Sequence, residues 1–173
     1  MSKFILRNFY NKIPKNKYVG KWLETLSNTK TNKLSRMKLN KNVLQYGFYG
    51  EHIMNNYFYD NNKYVRKPEN EYLPMIDFIE EKNKIRKAIE VKTFINTEIQ
   101  ENKVKFLFSK NYYYVPSDIY FVELNEYRKL KNIYLMDGKD WFFYVNSLDK
   151  FYCDYYKNKV LLEANLKEFT SLY

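Results

Sequence analysis

One cysteine, Cys153, and one histidine, His52, stand in a chain of 173 residues. A lone cysteine excludes an internal disulfide and any cysteine-rich zinc or iron–sulfur centre. No apolar run approaches the roughly 20 residues that a membrane helix needs. The N-terminal "KFILRNFY" has neither the long apolar stretch nor the small-residue cleavage site of a secretory signal. The expectation is an intracellular, reducing setting with no membrane partner. Acids are almost missing from residues 1–41, where Glu24 alone faces eleven Lys and Arg. The rest of the chain carries nineteen basic and nineteen acidic residues, so the whole net charge of +10 lies in that first quarter. Such asymmetry points to an anionic partner, most simply a phosphate backbone, although a basic arm can also serve solubility alone.

What remains is rich in large side chains: 45% hydrophobic and 20% aromatic, with nineteen tyrosines. That content and length suit one globular domain with a real core. We expect residues 1–41 to form a basic arm with a short helix in "YVGKWLETLSNT", and 42–173 to form the core domain. No internal repeat is present.

Apolar spacing predicts a helix over "VLQYGFYGEHIMNNYFY", ended by Asn61 and Asn62. Strands are expected in "KYVRK", "PMIDFI" and "KAIEVKTF". A second helix is expected to start near Thr97 and to carry Ile99, Val104, Phe106 and Leu107. "SDIYFVEL" reads as a buried strand, and "NIYLMDGKDWFFYV" as two strands around an Asp137-Gly138 turn. "NSLDKFY" is expected as a short helix capped by Asn146 or Ser147, and "KVLLEANLKEF" as another amphipathic piece. The order predicts an α/β fold with a mixed central sheet flanked by helices.

Two charges, Glu90 and Lys92, interrupt the apolar strand "AIEVKTF". If residues 74–92 form a hairpin with Asn83-Lys84 at the tip, Glu80 faces Lys87, Ile79 faces Ala88, and Asp77 faces Glu90. Lys92 shares their side, while Ile76, Phe78, Ile89 and Val91 face the core. Like charges directly opposite destabilise a ladder unless something compensates. Carboxylates about 5 Å apart can converge on one cation. An oxygen-only donor set without His or Cys favours Mg²⁺ or Mn²⁺ over Zn²⁺. On a solvent-facing side the same three residues would be ordinary ion pairs.

Pro74-x-x-Asp77, a gap of twelve residues, and Glu90-x-Lys92 resemble the signature of the PD-(D/E)XK nuclease superfamily. The order of elements from about residue 42 to 125 is similar to its core. The proline and aspartate are not adjacent here. The resemblance implies a restriction-endonuclease-like α-β-β-β-α-β core and Mg²⁺-dependent hydrolysis of phosphodiester bonds. Asp77, Glu90 and the carbonyl of Val91 would hold the metal. Lys92 would stabilise charge on the phosphate, and Glu51, from the first core helix, would hold a second metal or a water. His52 points about 100° away from Glu51 on a helix and is expected to be structural or exposed. Thr93, Lys103, Lys105, Lys38 and Lys41 are candidates for contacts to nucleic acid, and the Tyr112–Tyr114 run for stacking or for plain packing. The substrate is expected to be DNA, with a homodimer cutting both strands, and with a phage-type Holliday-junction resolvase ahead of a type II restriction enzyme. RNA cleavage, binding without catalysis, and a purely structural role are the rival readings.

Overall fold

The computed structural model describes residues 32–33, 43–68, 76–109, 118–152 and 159–173. The elements are β1 (Asn32–Lys33), α1 (Val43–Asp60), β2 (Val65–Arg66), β3 (Phe78–Lys82), β4 (Ile85–Ile95) and β5 (Lys103–Ser109). They continue with β6 (Asp118–Leu124), β7 (Leu130–Asp137), α2 (Gly138–Ser147), β8 (Lys150–Tyr152), β9 (Lys159–Asn165) and β10 (Thr170–Ser171). Cys153, Pro74, Lys38, Lys41, the Tyr112–Tyr114 run and the helix expected in "YVGKWLETLSNT" lie outside the described residues.

The protein is α/β, with a mixed six-stranded sheet in the order β10-β7-β6-β4-β3-β2. β4 and β6 run parallel and the other neighbours are antiparallel. A second sheet, β1-β8-β9-β5, brings Asn32–Lys33 in as a parallel edge strand. No helix among the described residues is long and apolar enough to cross a membrane.

Side-chain alternation divides the core between the two faces of the six-stranded sheet. On one face, Met54 and Phe58 of α1 pack on Phe78, Ile89, Val91, Tyr120 and Val122. The 46, 50, 54, 58 spacing of the helix turns Tyr46, Gly50, Met54 and Phe58 inward, and all four are buried. On the other face, Phe94, Ile119 and Phe121 meet Val104 and Phe106 of β5, Leu162 of β9, and Trp141 and Val145 of α2. Aromatic edges dominate there: Phe121 meets Phe169 at 4.8 Å and Phe106 at 5.2 Å between ring centroids.

Helix α1 ends where expected, with Asn62 at φ 55° just past it. The hairpin register also agrees: Lys82–Ile85, Glu80–Lys87, Ile79–Ala88 and Phe78–Ile89 are opposite pairs. Asn83 and Lys84 both take positive φ, 51° and 64°, as a two-residue turn matching strand twist requires. All seven residues of β6 are buried.

Three expectations fail. The helix expected from Thr97 is a single 3-10 turn, Asn96–Glu98, followed by strand β5. Its residues alternate, with Val104 and Phe106 buried and Lys103 and Lys105 exposed, which is a strand's period. The α-β-β-β-α-β order therefore departs from the expected core at its second helix. Asp137-Gly138 opens a helix instead of a hairpin, because the Asp137 carboxylate caps α2 by accepting from the amides of Lys139 (3.0 Å) and Asp140 (2.9 Å). The inward Trp141 and Val145 then recur at helical spacing. Ser147 ends that helix and β8 follows, so "NSLDKFY" holds no helix of its own. The amphipathic "KVLLEAN" is strand β9, with Leu162 and Ala164 in the core on the Phe121 side of the sheet and Leu161 also buried, and Leu166–Glu168 make a 3-10 turn.

Candidate active site

Asp77 lies one residue before β3, at a bend where the ladder with β4 stops. Its amide donates to the carbonyl of Ile89 at 2.9 Å. Its carboxylate accepts from the amide of Val91 at 2.7 Å, where a continued ladder would place a main-chain carbonyl. The aspartate thus completes the hydrogen bonding of the strand that carries Glu90 and Lys92.

Glu90 is buried, 4% exposed, in the middle of β4. Its Oε1 pairs with Lys92 Nζ at 2.7 Å, and its buried Oε2 has no hydrogen-bond partner among the described residues. Two residues apart on one strand, the pair shares one side of the sheet. Burial works against the charge on Lys92, but Glu90, then Asp77 and Glu51, outweigh it and raise its pKa. The ammonium is therefore held protonated.

Asp77 feels the opposite field. Burial pushes its pKa well above the usual carboxylate range, and repulsion from Glu90 and then Glu51 pushes it further. The Val91 amide and Lys92 pull it back only in part. The chain thus brings Asp77, Glu90, Lys92 and Glu51 into one electrostatic neighbourhood. Glu51 reaches it because α1 lies very close to the sheet: a Cβ added at Gly50 would stand 1.8 Å from Thr93 Oγ1. Only glycine permits that approach.

The remaining candidates are placed differently. Thr93 turns its hydroxyl under α1 at Gly50, buried and without a hydrogen-bond partner among the described residues. Lys103 and Lys105 stand exposed on β5 of the second sheet, with Lys103 3.8 Å from Glu163 of β9. His52 is exposed, beside Asn56 at 3.5 Å. Lys67 is the residue that sequence reasoning missed. Its ammonium pairs with Glu51 and lies 4.3 Å from the centroid of the Phe78 ring. Nothing in the residues around position 67 signals this role, because only the path of the chain after β2 brings it to α1.

Among the described residues no three acid, His or Cys side chains form a ready coordination shell. Glu51 is held by Lys67, and Glu90 by Lys92. The donors nonetheless suit a hard divalent cation: oxygen only, half-buried at Glu51 and Asp77 and buried at Glu90, mutually repelling, with one carboxylate oxygen of Glu90 left unpartnered among the described residues. Such an ion would relieve the repulsion that raises Asp77.

No family model matches the sequence, and no curated protein matches it significantly. Among solved structures the chain is similar to the bacterial homing endonuclease I-Ssp6803I, with a TM-score of 0.39 and 15% identity. The similarity covers 58% of this chain and 72% of that one. A likeness of that size transfers neither fold nor activity.

Proposed function

We propose that the protein is a Mg²⁺- or Mn²⁺-dependent endonuclease of the PD-(D/E)XK type that hydrolyses DNA phosphodiester bonds. The observation that carries this reading is the field at Asp77, a half-buried carboxylate opposed by two further acids with a protonated lysine alongside. A structural ion-pair network would make cations the strongest charged influence on such an acid; here Glu90 and Glu51 outweigh Lys92.

In this reading Asp77, Glu90 and the carbonyl of Val91 would hold the metal, with Glu51 free to join once it leaves Lys67. The bound ion supplies Lewis acidity toward the phosphate and a more acidic water. Lys92, kept protonated by Glu90, stabilises charge building on the phosphate oxygens and does not act as the base. The Asp77 bond to the Val91 amide holds the metal-facing edge of β4 in place. The basic excess of residues 1–41 gives the nucleic-acid affinity that a domain balanced in charge lacks. Branched DNA, such as a four-way junction, is the proposed substrate, cut by a homodimer because both strands must be broken.

The test is incubation with supercoiled plasmid, linear duplex and a four-way junction, with and without Mn²⁺, beside Asp77→Ala. Metal-dependent cutting by the native chain and none by the variant is expected. Equal nicking by both, or none by either, would overturn the proposal.

A further inference from the structure

The turn between β6 and β7 carries Glu126, Tyr127, Arg128 and Lys129, and its arginine reaches Tyr46 and Tyr49 of α1. Asn125 locks that turn: its side-chain oxygen accepts from the amides of Tyr127 and Lys129, each at 2.9 Å. Its carbonyl accepts from the Arg128 amide, also at 2.9 Å. Arg128 sits at φ 62°, a left-handed backbone that a residue with a side chain seldom adopts. Its guanidinium lies 5.2 Å from the centroid of Tyr49 and 5.8 Å from that of Tyr46, and donates to the Tyr49 hydroxyl at 3.3 Å. Tyr46 is buried and anchors the group, whereas Tyr49 is 43% and Tyr127 76% exposed. Lys129 and Lys131, next along the chain, are exposed.

We propose that Tyr49, Tyr127 and Arg128 form a stacking platform for the unpaired bases of a nucleic-acid strand, with Lys129 and Lys131 on its phosphates. Exposed aromatic rings with a fixed planar cation are how proteins grip single strands without reading sequence. A duplex hides its base faces, so the platform selects unpaired ends, gaps or branches. A protein partner would be expected to cover an apolar surface, but here the exposed groups are the rings of Tyr49 and Tyr127 and the ammonium groups of Lys129 and Lys131, with one acid, Glu126, among them. The rigid turn presents them at little further entropic cost.

Position relates the platform to the acids, and only this step rests on the nuclease reading. The turn follows Leu124, which lies opposite Ile95, whereas Glu90 lies opposite Ile119. Those five residues of β6 make about 17 Å along the sheet, at ~3.3 Å each. Glu90 and Lys92 also project from the face that α1 does not cover. A strand held on the platform would therefore pass the end of the sheet and set a phosphodiester at least about five nucleotides away, at ~3.4 Å each, at Lys92.

The test is fluorescence anisotropy of a labelled single strand and its duplex in EDTA, with native protein, Tyr127→Ala, Arg128→Gln and Asp118→Asn. Melting temperatures confirm that each variant is folded. Native protein is expected to prefer the single strand, with Tyr127→Ala and Arg128→Gln each weakening it about tenfold, duplex binding unchanged and Asp118→Asn neutral. Unchanged single-strand affinity in the folded Tyr127→Ala protein, or no preference in the native chain, overturns the platform. Metal-dependent cutting that persists alongside that result leaves the nuclease reading standing. Strand binding through the platform with no cutting under Mn²⁺ does the reverse.

Discussion

Asp77 and Asp118 are two partly or fully buried aspartates on the same six-stranded sheet, and both have pKa values raised first by burial. What comes second separates them. Around Asp118 the next influences are Lys87 and Lys63, which pull its pKa down, ahead of Glu80 and Asp137. Around Asp77 the next are Glu90 and Glu51, which push it further up. Cations are the strongest charged neighbours of one acid, and acids those of the other. Burial alone does not separate the two; the sign of the surrounding charge does.

The comparison is broken most severely by catalysis. Asp77→Asn is expected to abolish metal-dependent cleavage, and Lys92→Ala to slow it by ~10²–10³-fold, while Asp118→Asn leaves the rate within a few-fold of native; gel assays on plasmid and junction DNA measure all three. If Asp118→Asn were equally dead, the two acids would not differ in role.

Metal stabilisation is the next largest effect. At Mn²⁺ a hundred times above its Kd, thermal denaturation should show about 2.7 kcal/mol of added stability in the native protein. Asp118→Asn should keep that gain and Asp77→Asn should lose most of it. A gain untouched by Asp77→Asn would place the ion elsewhere.

The close approach that delivers Glu51 can be broken at Gly50. Alanine there meets the Thr93 hydroxyl, and urea denaturation should show a loss of about 1–3 kcal/mol. Trimming the partner in Gly50→Ala/Thr93→Ala should recover much of it.

The smallest effect is on the metal-free protein. Because the pKa of Asp77 is raised on folding, folding favours its protonated form. Stability should therefore grow as pH falls through that raised value toward the ordinary 3.8, and decline as pH rises. Asp77→Asn should flatten this dependence and add about 1 kcal/mol at pH 7, readable in denaturant midpoints. Asp118→Asn should add less, since Lys87 and Lys63 lose a partner.

Much of the candidate site's geometry was legible because a hairpin is local. The Asn83-Lys84 turn sets the register that brings Asp77 to Ile89 and Val91, on either side of Glu90, and period-two alternation puts Lys92 on the side of Glu90. The bend at Asp77 and its bond to the Val91 amide were not legible, since a ladder rule assumes that the strand continues. Helix α1 was readable from its repeat of inward residues, but Lys67 on Glu51 was not. The segments after Thr97 misled for another reason: "KVKFLFS" and "KDWFFYV" have apolar residues dense enough to fit either period. Burial against Trp141 and Phe121 decided between them.

By itself, the order of residues determined the helix over 43–60, the hairpin and its register, and the presence of two acids and a lysine on adjoining strands, because neighbours in sequence set those contacts. Tertiary packing decided that β5 and β9 form a second sheet, that Asp137 starts a helix, and that Gly50 lowers α1 far enough to bring Glu51 toward Asp77. Those outcomes depend on which distant surfaces meet, and the free energy of burying them exceeds the small local preferences that a sequence pattern expresses.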